Sequence, residues 1–424
     1  MTDPDSAQRQ AAIDEATVEV DSLLAPDAVA VVGASNTEGK PGNVLMHNIR
    51  DNGFEGDLYP VNPSADEVLG IEAYPGVSDV PGDLDTVIFA VPGPVILDVL
   101  PECAEKDVTS IVVVSAGFAE SVDEDRRDLQ RELTERCEQL GIRAIGPNTT
   151  GMVSMKSDLV ASFMPFPRWQ DGSIGIAAQT GIFAGVYMEE LMARDVQKLG
   201  YRYSLGLGNK MDLDETNVVR YAGQDDDTEV LQLYLESIRE PSAFFPAAAR
   251  VAEEMPIVLL KSARTAAGRD AARYHTASTA TVDEEIDQAC RRSGIVRADT
   301  VVEFMNYAKG FDYQPAPRGR NVAVLSLSGA NAVMAADYIF RSTLELATLS
   351  EETLAAAQAD ATDELGRLVE TLYAEHGDEI EAVARGMKPC EYCETQHYEE
   401  FVLRELLDRA LIELGEDGTL EELL

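Results

Sequence analysis

The residues best suited to chemistry stand at the ends of short apolar runs. The segment "VAVVGASNTEGKPG" places Gly33, Ser35 and Lys40 directly after a Val-rich run. A tight glycine turn there lets backbone N–H groups and a following helix N-terminus approach a phosphate. A second turn of this kind, "AAQTGIFAG", carries Gln179, Thr180 and Gly181. Its free N–H groups and helix dipole would stabilise an anion, although a capped helix packed on a sheet uses the same Thr and Gly. Asn148 in "GPNTTG" and Glu236 in "YLESI" close two further runs. His275 lies in "RYHTASTAT", a loop of small and polar residues. A neutral imidazole is nucleophilic near pH 7 and forms a labile N–P bond, although taken alone a loop histidine is usually a solvated or capping residue. Near the end of the sequence "CEYCETQH" gives Cys390, Cys393 and His397 a C-x2-C-x3-H spacing. That set would hold zinc only with a fourth ligand, for which His376 is a candidate by elimination; otherwise it is an ordinary pair of small residues in a helix.

The elements that must position these residues alternate regularly. The runs "AVAVVGAS", "GDLYPVNP", "DTVIFAVP", "TSIVVVSAGF" and "IRAIGPN" are short, mostly rich in Val or Ile, and each ends in Gly, Pro, Asn or Ser. Helical stretches such as Gly42–Asn52 and Asp123–Leu140 separate them, which predicts a parallel, doubly wound sheet. After the Pro-rich "FMPFPRW" a second α/β block carries the strands "GSIGIAAQ", "YRYSLGLG", "EVLQLYLE" and "PIVLLKS". The expected division is an acidic helical leader over 1–24, a first α/β domain over 25–155 and a second over 165–312. A partial third α/β unit over 318–355 and an acidic helical tail over 356–424 follow.

Composition narrows the function. Asp and Glu number 76 against 34 Lys and Arg, a formal net charge of −42 over 424 residues. The acid is spread along the chain rather than gathered in a tail, which reads as adaptation to a high-salt cytoplasm, where screening acts within a few Å. The same field disfavours nucleic acid. No apolar run suffices to cross a membrane, and the N-terminal stretch lacks a secretory pattern. Five Cys are too scattered for a disulfide framework, so the compartment expected is cytoplasmic. The glycine turn is not the G-x-G-x-x-G dinucleotide pattern. The second run ends "YPVNP" where a nicotinamide enzyme places an acid for the ribose, which counts against a dehydrogenase.

The ordered segments "VVGASNTEGKPGNVLMHNI", "GDLYPVNP", "GIEAYPGVSDVPGDLDTVIFAVP", "SAGFAE" and "GPNTTGMVS" resemble the CoA-binding domain of the NDP-forming acyl-CoA synthetases. That family includes ADP-forming acetate–CoA ligases and, more distantly, the succinyl-CoA synthetase α subunit. The resemblance continues through "AAQTGIFAG", "GLGNKMDLDE", "LYLESI", "KSARTAAGRDAARYHT" and "SGIVRADTVVEF", over about residues 25–355. It implies a Rossmann-like CoA-binding domain followed by a flavodoxin-like succinyl-CoA-synthetase-type domain, then a truncated third α/β unit.

The resemblance also implies roles. His275 would accept a phosphoryl group, and Glu236 would pair with its ring to fix the tautomer and stabilise the charged imidazole. Asn148, Gln179, Thr180 and Gly181 would line the phosphate site. Gly33, Ser35 and Lys40 would meet CoA phosphates, Asn62 and Pro63 its adenosine, and Pro92 and Glu120 its pantetheine. This chain departs from the family at Tyr274 and Ala277, at Thr149 in place of Cys, and at Ser64 in place of Lys. Nothing after Ser350 resembles an ATP-grasp domain, so an ATP-grasp β subunit is expected to bind ADP/ATP and Mg²⁺ within a hetero-oligomer. The substrates would be a small carboxylic acid and its acyl-CoA. A different reading, a CoA-binding regulatory paralogue without turnover, draws on the altered His loop and the "SGAN" turn.

Overall fold

The computed structural model describes residues 20–121, 123–164, 171–181, 199–268, 283–314, 319–324 and 329–348. Contacts divide the chain into one unit ending at Ala316 and another beginning at Pro317. The acidic tail and most of the leader lie outside the described residues.

The first unit holds two sheets. Strands β1 (Ala28–Val32), β2 (Asp57–Val61), β5 (Thr86–Phe89), β6 (Ser110–Val113) and β7 (Arg143–Ile145) form a parallel sheet ordered β2-β1-β5-β6-β7. A small hairpin of β3 (Glu67–Val68) and β4 (Ile71–Glu72), unanticipated in the sequence, follows β2. Every residue of β1, β5 and β6 is buried, which is why these strands read as continuous apolar runs rather than alternating ones. Helices α1 (Pro41–Asp51), α2 (Gly93–Glu105) and α3 (Glu124–Leu140) connect them. Helix α3 starts where the Asp123 carboxylate accepts the Asp125 N–H and stops at Gly141 in the left-handed region, φ 70°.

The second sheet is ordered β14-β13-β12-β10-β11-β8-β9. Its parallel members are β10 (Ile174–Ala178), β11 (Tyr201–Gly206), β12 (Val230–Leu235), β13 (Ile257–Lys261) and β14 (Val296–Ala298). Helices α4 (Glu215–Ala222), α5 (Pro241–Val251), α6 (Asp283–Arg292) and α7 (Val301–Tyr313) belong to it. The hairpin β8 (Gly151–Ser154) and β9 (Leu159–Ser162) extends it antiparallel, β8 against β11. The apolar–polar pattern of "GMVSMKSDLVAS" is too short to announce which sheet it joins, and the expected first domain, ending at 155, cut it in two. Only long-range pairing places it.

Helix α1 covers the exposed side of β9. The Asn48 amide donates to the carbonyls of Ser162, at 2.7 Å, and Met164, at 2.6 Å. The first lies at the end of the edge strand β9, and the second just beyond it. A shared apolar core runs from Val29, Leu45 and Ile88 to Leu159, Tyr203 and Leu233 and takes in Val20, Leu23 and Leu24 at the end of the leader.

Numbered by parallel strands alone, both sheets have the order 2-1-3-4-5. In such sheets ligands bind beyond the carboxyl ends of the strands, where the order reverses. The first reversal lies between β1 and β5, the second between β10 and β12. The unit beginning at Pro317 contributes β15 (Asn321–Val322), α8 (Gly329–Arg341) and β16 (Glu345–Leu346), with β15 and β16 parallel.

Candidate active site

Gln179 follows β10 and Glu236 follows β12, so the second reversal brings these two residues together. The Gln179 Oε1 accepts the backbone N–H groups of Glu236, at 2.9 Å, and Ser237, at 3.0 Å, and its amide donates to Ser237 Oγ at 3.1 Å. The Gln179 side chain thus holds the turn that carries Glu236. Glu236 itself is 7% exposed.

Two lysines complete the turn. The Lys261 ammonium donates to the Glu236 carbonyl at 2.6 Å. The Lys210 ammonium donates to the Ser237 carbonyl at 2.8 Å and to Glu215 Oε2 at 2.9 Å. Glu215 Oε1 then accepts the Arg239 N–H at 2.5 Å. Five backbone groups between 236 and 239 are thus satisfied by buried side chains from β10, β13 and the β11–α4 region. A loop would ordinarily leave such groups to water. Here they are fixed in advance, and the position of Glu236 with them. Lys210, Lys261, Glu215 and Ser237 were not singled out as site residues. Lys210 and Glu215 stand within the quoted "GLGNKMDLDE", yet a lysine that ends beneath a neighbouring strand has no local sequence signature.

Thr180 and Gly181 occupy the turn after β10. A Cβ at Gly181 would come within 2.2 Å of Thr150 Cγ2, so the glycine permits close approach of the β8 entry. Asn148 adopts φ 58°; its N–H donates to the Ser115 carbonyl at 2.9 Å and its amide to Asn209 Oδ1 at 3.3 Å. Thr149, which stands where the family has Cys, is buried. Its hydroxyl donates to the Gly206 carbonyl at 2.5 Å and accepts the Gly151 N–H at 3.1 Å. The chain changes sheets here, and the hydroxyl staples that crossing.

At the first reversal, Gly33 follows β1 with φ 90°, and a Cβ there would lie 2.7 Å from Val91 Cγ1. A Cβ at Gly42 would lie 1.9 Å from the Gly33 carbonyl oxygen, so helix α1 can start against this loop only without a side chain. The Ser35 hydroxyl accepts the Thr37 N–H at 3.0 Å. The Asn62 amide donates to the Ala34 carbonyl at 2.8 Å, tying the end of β2 to the β1 loop. Pro63 and Lys40 are exposed beside it, and Pro92 precedes the first turn of α2. The structure therefore gathers Gly33, Ser35, Lys40, Asn62, Pro63 and Pro92 at one edge of the first sheet.

Glu120 is tied into the loop that carries it and to the loop after β11. Its Oε1 accepts the N–H groups of Gly117, at 2.5 Å, and Phe118, at 3.1 Å, and its Oε2 accepts the Asn209 amide at 2.6 Å. Burial opposes its charge, but the bonds from Asn209 and the two backbone N–H groups outweigh that and hold the carboxyl below its usual range. Asn209 also donates to Gln130 Oε1 at 2.9 Å, and Arg143 forms a two-pronged pair with Asp212 at 2.8 Å for each bond. The loop after β11 thereby binds the first domain to the second.

Between α3 and this loop lies a cleft of about 480 Å³, lined among others by Arg127, Gln130, Arg131, Asn209, Lys210 and Arg239. Its lining mixes the cations Arg127, Arg131, Lys210 and Arg239 with the acids Glu135 and Glu138. His275, Cys390, Cys393, His397 and His376 lie outside the described residues. Among the described residues no cluster of His, Cys, Asp and Glu is arranged to hold a metal. No helix among them is long and apolar enough to cross a membrane.

Two doubly wound domains, with a glycine turn at one reversal and a clamped acid at the other, define a CoA-binding domain joined to a succinyl-CoA-ligase-like flavodoxin domain. Residues 27–155 match the CoA binding domain family, and residues 171–311 match the succinyl-CoA ligase like flavodoxin domain. The chain is similar to the α subunit of acetate–CoA ligase [ADP-forming] II of Pyrococcus furiosus, 32% identical over 336 residues, which cover 79% of this chain and 72% of that one. It is 38% identical over 332 residues to acetate–CoA ligase [ADP-forming] II of Archaeoglobus fulgidus, covering 78% of this chain and 49% of the relative. The chain spans about half the length of this Archaeoglobus ligase, against 72% of the Pyrococcus α subunit. A solved structure of acetyl-coenzyme A synthetase 1 from Ca. Korarchaeum cryptofilum, in complex with phosphate and ADP, superposes with a TM-score of 0.73 at 32% identity, over 78% of this chain and 70% of that one. The chain belongs to the ADP-forming acetate–CoA ligase family.

Proposed function

We propose that the chain is the CoA-binding, phosphohistidine-bearing subunit of an ADP-forming acyl-CoA synthetase. The observation that carries this reading is the clamped Glu236 turn at the second reversal, in a chain 32% identical to an α subunit of that activity. In the first step phosphate oxygen attacks the thioester carbonyl, the C–S bond breaks, and acyl phosphate and CoA form. The His275 imidazole then attacks phosphorus, the P–O bond to the acyl group breaks, and the carboxylate leaves. Glu236 accepts a hydrogen bond from the other ring nitrogen and stabilises the cationic ring. The phosphoryl group passes finally to ADP on an ATP-grasp partner subunit, which also supplies Mg²⁺.

CoA would lie along Gly33, Ser35, Asn62 and Pro92, its phosphates near the Gly33 turn and Lys40. Catalysis rests on positioning and on fixed dipoles rather than on strong acids or bases. The hetero-oligomer works in a cytoplasm rich in salt, which screens the net charge of −42. The test is to incubate the chain at high KCl with labelled phosphate and a panel of acyl-CoAs. Acid-labile, base-stable label on the native chain and none on His275→Asn supports the reading. CoA binding with no label from any acyl-CoA overturns it.

A further inference from the structure

Lys261 is the last residue of β13 and is buried, only 5% exposed. An ammonium so placed must be fully engaged, because an unpaired buried charge is costly. Its Nζ donates to two carbonyls, Glu236 at 2.6 Å and Ser262 at 2.5 Å. Those carbonyls stand at the exits of two neighbouring parallel strands. One exit carries the acid; the other opens the sequence segment in which His275 lies. Glu236 is held from its other side, where Gln179 accepts its N–H.

We propose that Lys261 is a positioning residue for phosphoryl transfer: it staples the exit of β12 to the exit of β13 and so fixes where Glu236 stands relative to the departing chain. The staple is a charge-assisted hydrogen bond to each carbonyl, stronger than a neutral one. The charged groups facing Lys261 are Asp283 of α6, Arg297 of β14, Lys210 from the β11 loop and Glu236 itself. Burial, more than these neighbours, pushes its pKa down to about 8. The staple therefore weakens in alkali.

This inference rests on the proposed phosphohistidine chemistry, and its test separates the two. Single-turnover labelling by acetyl phosphate is followed in the wild-type chain, Lys261→Met and Val258→Ala. Val258 is a core residue of the same strand that touches neither carbonyl, so it reports what lost stability alone does. Expected for Lys261→Met is labelling slowed by about 10- to 100-fold, the scale of a misplaced reacting group, with CoA affinity unchanged within about twofold. The wild-type rate should fall above about pH 8, and Lys261→Met should lack that fall. Equal slowing in Lys261→Met and Val258→Ala, or an identical alkaline limb in Lys261→Met and wild type, overturns the positioning role while leaving the phosphohistidine reading intact. A wild-type chain that takes no label overturns both.

Discussion

Replacing Lys210 by Met should cost more stability than removing both members of its ion pair. The Lys210 and Glu215 side chains are 5% and 0% exposed, with Nζ and Oε2 at 2.9 Å. The ammonium also satisfies the Ser237 carbonyl. Methionine keeps the volume but leaves a buried carboxylate without its cation and a carbonyl without its donor. Breaking one partner of a buried pair costs about 3–5 kcal/mol. At about 2 °C per kcal/mol for a unit of this size, the thermal midpoint should fall by roughly 6–10 °C. In Lys210→Met/Glu215→Gln the glutamine still accepts the Arg239 N–H and no charge is stranded, so most of the loss should return. The cycle is measured by urea and thermal unfolding at two KCl concentrations. Its coupling should persist at the higher one, because buried pairs are poorly screened. A Lys210→Met loss below about 1 kcal/mol, or a double variant no better than the single one, would refute the reasoning.

Three further outcomes follow from the same geometry. Gly42→Ala would set a Cβ 1.9 Å from the Gly33 carbonyl oxygen, so the β1 loop must move; calorimetry should show CoA affinity reduced about tenfold or more, and an unchanged affinity would remove this loop from the CoA site. Glu120 has a folded pKa below its ordinary 4.5, so its stabilisation is present above that value and lost as pH falls through the lower folded value. The stability gap between wild type and Glu120→Gln should accordingly narrow on acidification from pH 7 to 3, and a gap independent of pH would contradict it. Lys261, at about 8 against an ordinary 10.5, binds fewer protons folded than unfolded between those values. Its contribution to stability therefore rises with pH across that window by up to about 1.4 kcal/mol per unit, and Lys261→Met should lack the rise in urea titrations.

Much of the frame was legible because it is local. Fully buried parallel strands leave nearly unbroken apolar runs, and β1, β5, β6, β10 and β13 were read from such runs, while β11 and β12 were read from apolar runs interrupted by polar residues. The ends of α1 and α3 were readable within a residue or two from a proline at the start of one and from Asp123 and Gly141 around the other. What escaped depends on partners far away in sequence. The β8–β9 hairpin joins the second sheet only through β11, some fifty residues on. Gln179 and Glu120 were assigned to ligands from their motifs, yet their carboxamide and carboxylate are committed to backbone groups and to Asn209. Lys210, in a loop, and Lys261, at a strand end, look like ordinary solvated lysines until the neighbouring strand is in place. The position of Glu236 was readable; the clamp that holds it was not.

The most direct test of the account is to map the phosphoryl group itself. The chain is charged with labelled acetyl phosphate at high KCl, digested under alkaline conditions, and the peptides are sequenced by mass spectrometry. The account requires label on His275, absent from His275→Asn, slowed in Glu236→Gln and discharged by adding acetate with CoA. Label on another residue, or none on a chain that binds CoA, would contradict it.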